Sequence, residues 1–193
     1  MQRLWLFRCC ATVWDEAERL HGRTDLPATE SAVAAFRDLM ARQPEGPEVL
    51  YHPPDEAAAE TAQAIAARFA CQVRVAPDLA EPDLGLLEGL AMAEFERRFE
   101  SRYAEWVASP LTVEPPEGEP LEQARARILD ALAAALADHA DRRLGLVLHP
   151  IGLAMVRDAL ARGDGSRLWE RIEGRAPCSA YVLPTGAADM LGD

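Results

Sequence analysis

The chain has 193 residues, 49% hydrophobic and 27% charged, which suits one soluble domain with a core large enough to stand without staples. Its formal net charge of −12 repels nucleic-acid phosphates and anionic membrane surfaces, so neither is an expected partner. Every basic residue is Arg, which leaves no Lys for Schiff-base chemistry. No apolar run is long enough to span a bilayer, and residues 1–8 are too short for an export signal. The four cysteines, Cys9, Cys10, Cys71 and Cys178, have neither zinc-ribbon nor Cys-x-x-Cys spacing. A cytoplasmic protein with reduced thiols is expected.

In chain order, residues 4–7 open with an apolar run that reads as a strand buried on both faces. Residues 29–42 carry Val33, Phe36, Leu39 and Met40 at helical spacing, with Thr29 placed to cap them. A second strand at 49–51 precedes an Ala-rich helix at 57–69, and a third strand follows at 73–75. Residues 90–120 read as a covering segment, ending in a surface loop over 109–120 that is rich in Pro, Glu and Gly. A helix over 121–139, a strand at 144–148, a helix over 151–161 and a strand at 180–183 complete the pattern, with 185–193 as a fraying tail. Strands alternating with helices predict an α/β fold with a mostly parallel sheet in a single domain, 1–193.

Ligands of an open parallel sheet bind beyond the carboxyl ends of its strands. That topology brings together Arg8-Cys9-Cys10, His52-Pro53-Pro54, Glu81 and His149-Pro150. His21 and His139 read as exposed positions, in a loop and at a helix end, and Trp14, Trp106 and Trp169 as packing residues.

Six segments in order carry a resemblance. Leu6-Phe7-Arg8-Cys9-Cys10-Ala11-Thr12-Val13-Trp14-Asp15 is similar to Leu-Val-Arg-His-Gly-Glu-Thr-x-x-Asn. Gly22-Arg23-Thr24-Asp25-Leu26-Pro27-Ala28-Thr29 is similar to Gly-Arg-x-Asp-x-Pro-Leu-Thr. The segment from Tyr51 to Ala62 is similar to Ser-Ser-Pro-x-x-Arg-Ala-x-x-Thr-Ala, and that from Leu79 to Gly89 to Leu-x-Glu-x-x-x-Gly-x-x-Glu-Gly. Pro115-Pro116-Glu117-Gly118-Glu119-Pro120-Leu121 and Leu146-Val147-Leu148-His149-Pro150 are similar to Pro-Gly-Gly-Glu-Ser and Val-Ser-His-Gly. Together they resemble the histidine phosphatase (phosphoglycerate mutase-like) superfamily.

The resemblance implies a three-layer α/β/α sandwich. It implies a chemistry in which a histidine attacks phosphorus, two arginines and a second histidine hold the phosphate oxygens, and a glutamate protonates the leaving oxygen. Carried over, Cys9 stands at the nucleophile position, Glu81 at the acid position, and Arg8 and His149 in the phosphate pocket. Arg23 is a weaker phosphate-binding candidate, and the second pocket arginine falls on Ala57. Asp15 replaces a pocket Asn and is placed to pair with Arg8 or Arg23, and Cys10 replaces a Gly.

These departures predict a pseudophosphatase, inactive by the family mechanism, with a residual pocket for a small phosphorylated or anionic ligand or with a protein partner. No cofactor or metal is expected in that reading, and nothing in the sequence sets an oligomeric state. One alternative is an active phosphomonoesterase in which Cys9 is the nucleophile. Another is a metal site built from Cys9 or Cys10 with His52, Glu81 and His149. His52 is a further candidate for the missing cation, although pairing with Asp55 or Glu56 is the plainer expectation. Without its partner chemistry, Glu81 reads as a surface carboxylate.

Overall fold

The computed structural model describes residues 1–172, 177–184 and 186–190. A five-stranded sheet lies at its centre, formed by β1 (Gln2–Arg8), β2 (Val49–His52), β3 (Gln72–Val75), β4 (Leu144–Leu148) and β5 (Cys178–Leu183) in the order β3-β2-β4-β1-β5. The pairs β1–β4, β4–β2 and β2–β3 are parallel, and β5 runs antiparallel to β1. The helices are α1 (Val13–Glu16), α2 (Glu30–Ala41), α3 (Glu56–Phe69), α4 (Met92–Arg98), α5 (Glu100–Ala108), α6 (Leu121–Asp138) and α7 (Pro150–Leu160).

The alternation of side chains along β1 builds two cores. Leu4 and Leu6 join Leu121, Ile128 and Leu132 of α6 and Met155 of α7 on one face. Trp5 and Phe7 join Phe36 and Met40 of α2 and Ala58 and Ile65 of α3 on the other. Helices on both faces make the three layers. Thr29 caps α2 through the Ala32 N–H, as its position predicts, and Asp55 caps α3 through the Ala58 N–H at 2.9 Å.

Three expectations need correction. The strands are not all buried on both faces: every residue of β3 is exposed, and Val182 of β5 is 62% exposed. These are the two edges of the sheet, where the covering helices run out. Residues 90–120, read as a covering segment, are partly helical. They contain α4 and α5, anchored by Phe95 and Trp106 in edge-to-face contact at 5.8 Å, with Trp106 stacked on Trp169 at 4.5 Å. Within the predicted surface loop, Pro110 and Val113 are buried. Of the predicted fraying tail, residues 185 and 191–193 lie outside the described residues, while Ala187 is buried in a short 3₁₀ turn, Ala187–Met190.

Among the described residues, no helix is long and apolar enough to cross a membrane.

Candidate functional site

The carboxyl edge of the sheet collects the site. β1 ends at Arg8, and the Cys9 N–H donates to the Leu148 carbonyl at 2.9 Å, tying the exit of β1 to the end of β4. Cys9 is buried, and its Sγ lies 3.7 Å from Thr61 Oγ1. The Thr61 hydroxyl donates to the Ala57 carbonyl at 2.7 Å and accepts from the Cys10 N–H at 2.9 Å, so α3 is strapped to the strand exit. Burial pushes the Cys10 thiol up to about 11, outweighing the Thr61 hydrogen bond, so it stays protonated near neutral pH. All four cysteines are free.

His149 ends the turn out of β4 and occupies the N-cap position of α7. Its Nε2 lies 2.9 Å from Asp55 Oδ1, the same oxygen that caps α3. Burial works against a charged His149, but the neighbouring Cys9 sulfur and the Asp55 carboxylate overcome it and hold its pKa well above the ordinary 6.5. Burial likewise opposes ionisation of Asp55, and the hydrogen bond to His149 outweighs it, lowering the carboxyl below its usual value.

Glu81 is not a surface carboxylate. It is 3% exposed, and its oxygens accept from the Ile151 N–H at 2.6 Å and the Gly152 N–H at 2.8 Å. It supplies from a distant segment the cap that His149 does not provide with its own side chain. Gly152 makes room for it, since a Cβ there would sit 3.1 Å from Glu81 Oε2. Burial raises the Glu81 carboxyl above its usual range, only partly offset by His149 and the two backbone donors.

Arg8 places a guanidinium nitrogen 3.8 Å from Asp15 Oδ1, so the predicted internal pair forms with Arg8 and not with Arg23. Arg23 instead donates to Glu119, which Arg127 grips through both oxygens. Asp15 accepts from the Thr12 N–H and hydroxyl, both at 2.8 Å, in a capping box on α1. Burial opposes its charge, yet the neighbouring His21 and the Thr12 donors hold its pKa down to about 2.

His21 and His139 are both buried, contrary to expectation. The backbone of Leu20 bonds to Leu90 and Gly89, folding the 20–24 loop under the segment that follows Glu88. There the His21 ring donates from Nε2 to the Thr24 carbonyl at 2.8 Å and meets the His149 ring edge-to-face at 5.2 Å. Its Nδ1 faces Asp15 Oδ2 at 3.9 Å. Burial disfavours a charged His21, but Asp15 and the Thr24 carbonyl raise its pKa nonetheless. His139 lies 3.0 Å from the Tyr51 hydroxyl.

His52 turns Nδ1 onto the Pro53 carbonyl at 2.7 Å, so neither Asp55 nor Glu56 holds it. The metal set that one alternative offered, Cys9 or Cys10 with His52, Glu81 and His149, does not assemble among the described residues. Among the described residues, the metal-binding donors that converge are Cys9, Asp55 and His149, with their ligand atoms within 4.8 Å of one another. Asp55 and His21 are therefore the site residues that sequence reasoning missed. Asp55 was visible only as a local partner for His52, and His21 as an exposed loop position.

Next to these groups lies a cavity of about 440 Å³, lined by Asp15, His21 and Glu81 on one side and by Met92, Tyr103, Trp106 and Trp169 on the other. A smaller cavity of about 120 Å³ is bordered by His21, Arg23, Asp55, Glu81 and His149.

The buried pair has a pH signature. A raised His149 pKa contributes stability that is complete below about 6.5 and is lost as pH climbs through the raised folded-state value. The lowered Asp55 pKa contributes stability that is present above its ordinary 3.8 and is lost as pH falls through the lowered value. Melting temperature is expected to fall on the alkaline side of neutrality, and Asp55→Asn, which keeps the helix cap, should flatten that slope. Equal slopes in a melting series on the two proteins would contradict the pairing.

The parallel sheet order, the strand exit at Arg8 and the helix entry at His149 define a phosphoglycerate mutase-like α/β fold. The sequence profile of the histidine phosphatase superfamily (branch 1) matches residues 4–188, and the chain belongs to that family. It is 29% identical over 149 residues to a metal-independent phosphoserine phosphatase of Arabidopsis thaliana, covering 75% of this chain and 62% of that protein. This chain thus spans less than two thirds of that relative's length. It is also 29% identical over 158 residues to the probable phosphoglycerate mutase GpmB of Proteus mirabilis (strain HI4320), covering 79% of this chain and 72% of that protein. Bacillus stearothermophilus YhfR shares the fold with a TM-score of 0.86 at 21% identity, covering 96% of this chain and 93% of that one.

Proposed function

We propose that the chain is a pseudophosphatase, a histidine-phosphatase scaffold that keeps a ligand pocket and does not turn over phosphate monoesters through a phosphohistidine. The observation that carries this reading is the Asp55 carboxylate 2.9 Å from His149 Nε2. The imidazole that would grip a phosphate oxygen is engaged by a group that repels one. Around it, Cys9 offers a thiol in place of an attacking imidazole, and Ala57, fully buried, offers no donor at all. Arg8 remains, but it faces Asp15. A lost charged donor removes roughly 2–4 kcal/mol of transition-state stabilisation, a factor of about 10² to 10³.

The larger cavity supports a retained binding role. Its aromatic wall suits a small molecule with an apolar body, and the Asp15 carboxylate in its lining weakens its grip on a phosphate group.

Hydrolysis of p-nitrophenyl phosphate between about pH 5 and 8 tests the reading. Wild type is expected to match the protein-free blank. Turnover that disappears in Cys9→Ser would instead make the thiolate an active nucleophile, beside a histidine placed to serve it.

A further inference from the structure

We propose that Cys9, Asp55 and His149 form a binding site for a borderline-soft divalent cation, with zinc the best match. The inference deepens the reading of this pocket given above, because it says what replaces the phosphoryl group there.

The donor set is one thiol, one imidazole and one carboxylate, the ligand types zinc takes in proteins. Their ligand atoms lie within 4.8 Å of one another. Zinc–ligand bonds of about 2.0–2.3 Å in a tetrahedron put neighbouring donors roughly 3.3–3.7 Å apart. Small side-chain rotations therefore reach the geometry. His149 Nε2 and Asp55 Oδ1, now 2.9 Å apart, would move slightly apart as the ion takes the place of the shared proton.

Three separate elements hold the donors before any ion arrives. Cys9 follows β1 with its N–H bound to β4, Asp55 caps α3, and His149 caps α7, its carbonyl accepting from Leu153 at 2.8 Å. Such preorganisation limits the ordering that binding must impose. Cys9 and His149 are buried, while the Asp55 side chain is 20% exposed and borders the 120 Å³ cavity. A fourth ligand, water or a bound small molecule, can enter from that side, as in open zinc sites.

The electrostatics agree. In an anion cradle the pocket would be lined by cations, and here Arg8 is faced by Asp15, while Arg23, which borders the smaller cavity, is engaged by Glu119. Adding a dication beside Asp55 and a thiolate balances charge that a phosphate would aggravate.

The test uses untagged protein stripped by a chelator and titrated calorimetrically with Zn²⁺, then with Co²⁺ as a spectroscopic substitute. Expected are about one equivalent bound and a thiolate-to-cobalt charge-transfer band in the near ultraviolet. Cys9→Ser should abolish the band and weaken Zn²⁺ binding on the order of 10²-fold or more. Asp55→Asn, which still caps α3, should weaken binding similarly, and Cys71→Ser should leave it unchanged. Absence of stoichiometric binding, or an unchanged affinity in Cys9→Ser and Asp55→Asn, overturns the proposal. Because the readout is binding, phosphatase activity in wild type would defeat the pseudophosphatase reading while leaving this one standing.

Discussion

The triple variant Cys9→His, Asp55→Ser, Ala57→Arg is expected to hydrolyse p-nitrophenyl phosphate at least about 10³-fold faster, in kcat/KM, than Cys9→His alone. The single change restores an imidazole at the end of β1 but leaves His149 engaged by the Asp55 carboxylate and leaves position 57 without a donor. An attacking group without charge stabilisation gains little, because phosphoryl transfer depends mostly on positioning and on neutralising the phosphoryl oxygens. Serine at position 55 keeps a capping oxygen for the Ala58 N–H and removes the negative charge. Arginine at position 57 would enter the cluster that already contains Cys9 and Cys10 and add a bidentate donor. Equal activity in the single and triple variants would show that the carboxylate and the missing guanidinium do not limit the site.

The second large effect concerns stability. Phe7→Ala is expected to cost about 3–5 kcal/mol and to lower the melting temperature by roughly 10 °C or more. Phe7 is fully buried and meets Phe36 of α2 edge-to-face at 6.4 Å, so truncation opens a cavity between β1 and the α2–α3 layer. Val182→Ala, at the outer edge of the sheet and 62% exposed, should change stability by no more than about 0.5 kcal/mol. Comparable losses in a denaturant series on the two variants would contradict the two-face packing of β1.

The central strands were legible because β1 and β4 are covered on both faces, which forces uninterrupted apolar runs. Burial of the edge strands was not legible. Val73, Val75 and Val182 have the residue type of a covered strand, and only the sheet order reveals that no helix reaches them. The helices α4 and α5 were hidden by their break at Phe99, whose φ of −132° and ψ of 48° split one amphipathic pattern into two short pieces.

In the candidate site, Arg8, Cys9, Glu81 and His149 were named together because strand ends converge whatever the loops do. The partnership of Asp55 with His149 spans 94 residues and leaves no local trace beyond a helix cap. His21 is buried where the backbone of Leu20 bonds to Gly89 and Leu90, a long-range contact that a Leu-His-Gly sequence does not announce. The role of Glu81 as a cap on α7 was likewise invisible, because its two donors lie 70 and 71 residues away.

Rapid-quench mixing of wild-type protein with p-nitrophenyl phosphate, counting nitrophenolate released per chain in the first turnover, tests the central claim most directly. No burst and no steady rate above the blank are predicted, because the chain has no imidazole at position 9 and His149 is held by Asp55. A burst approaching about one nitrophenolate per chain, lost in Cys9→Ser, would show that a phosphoryl group is received at this site after all.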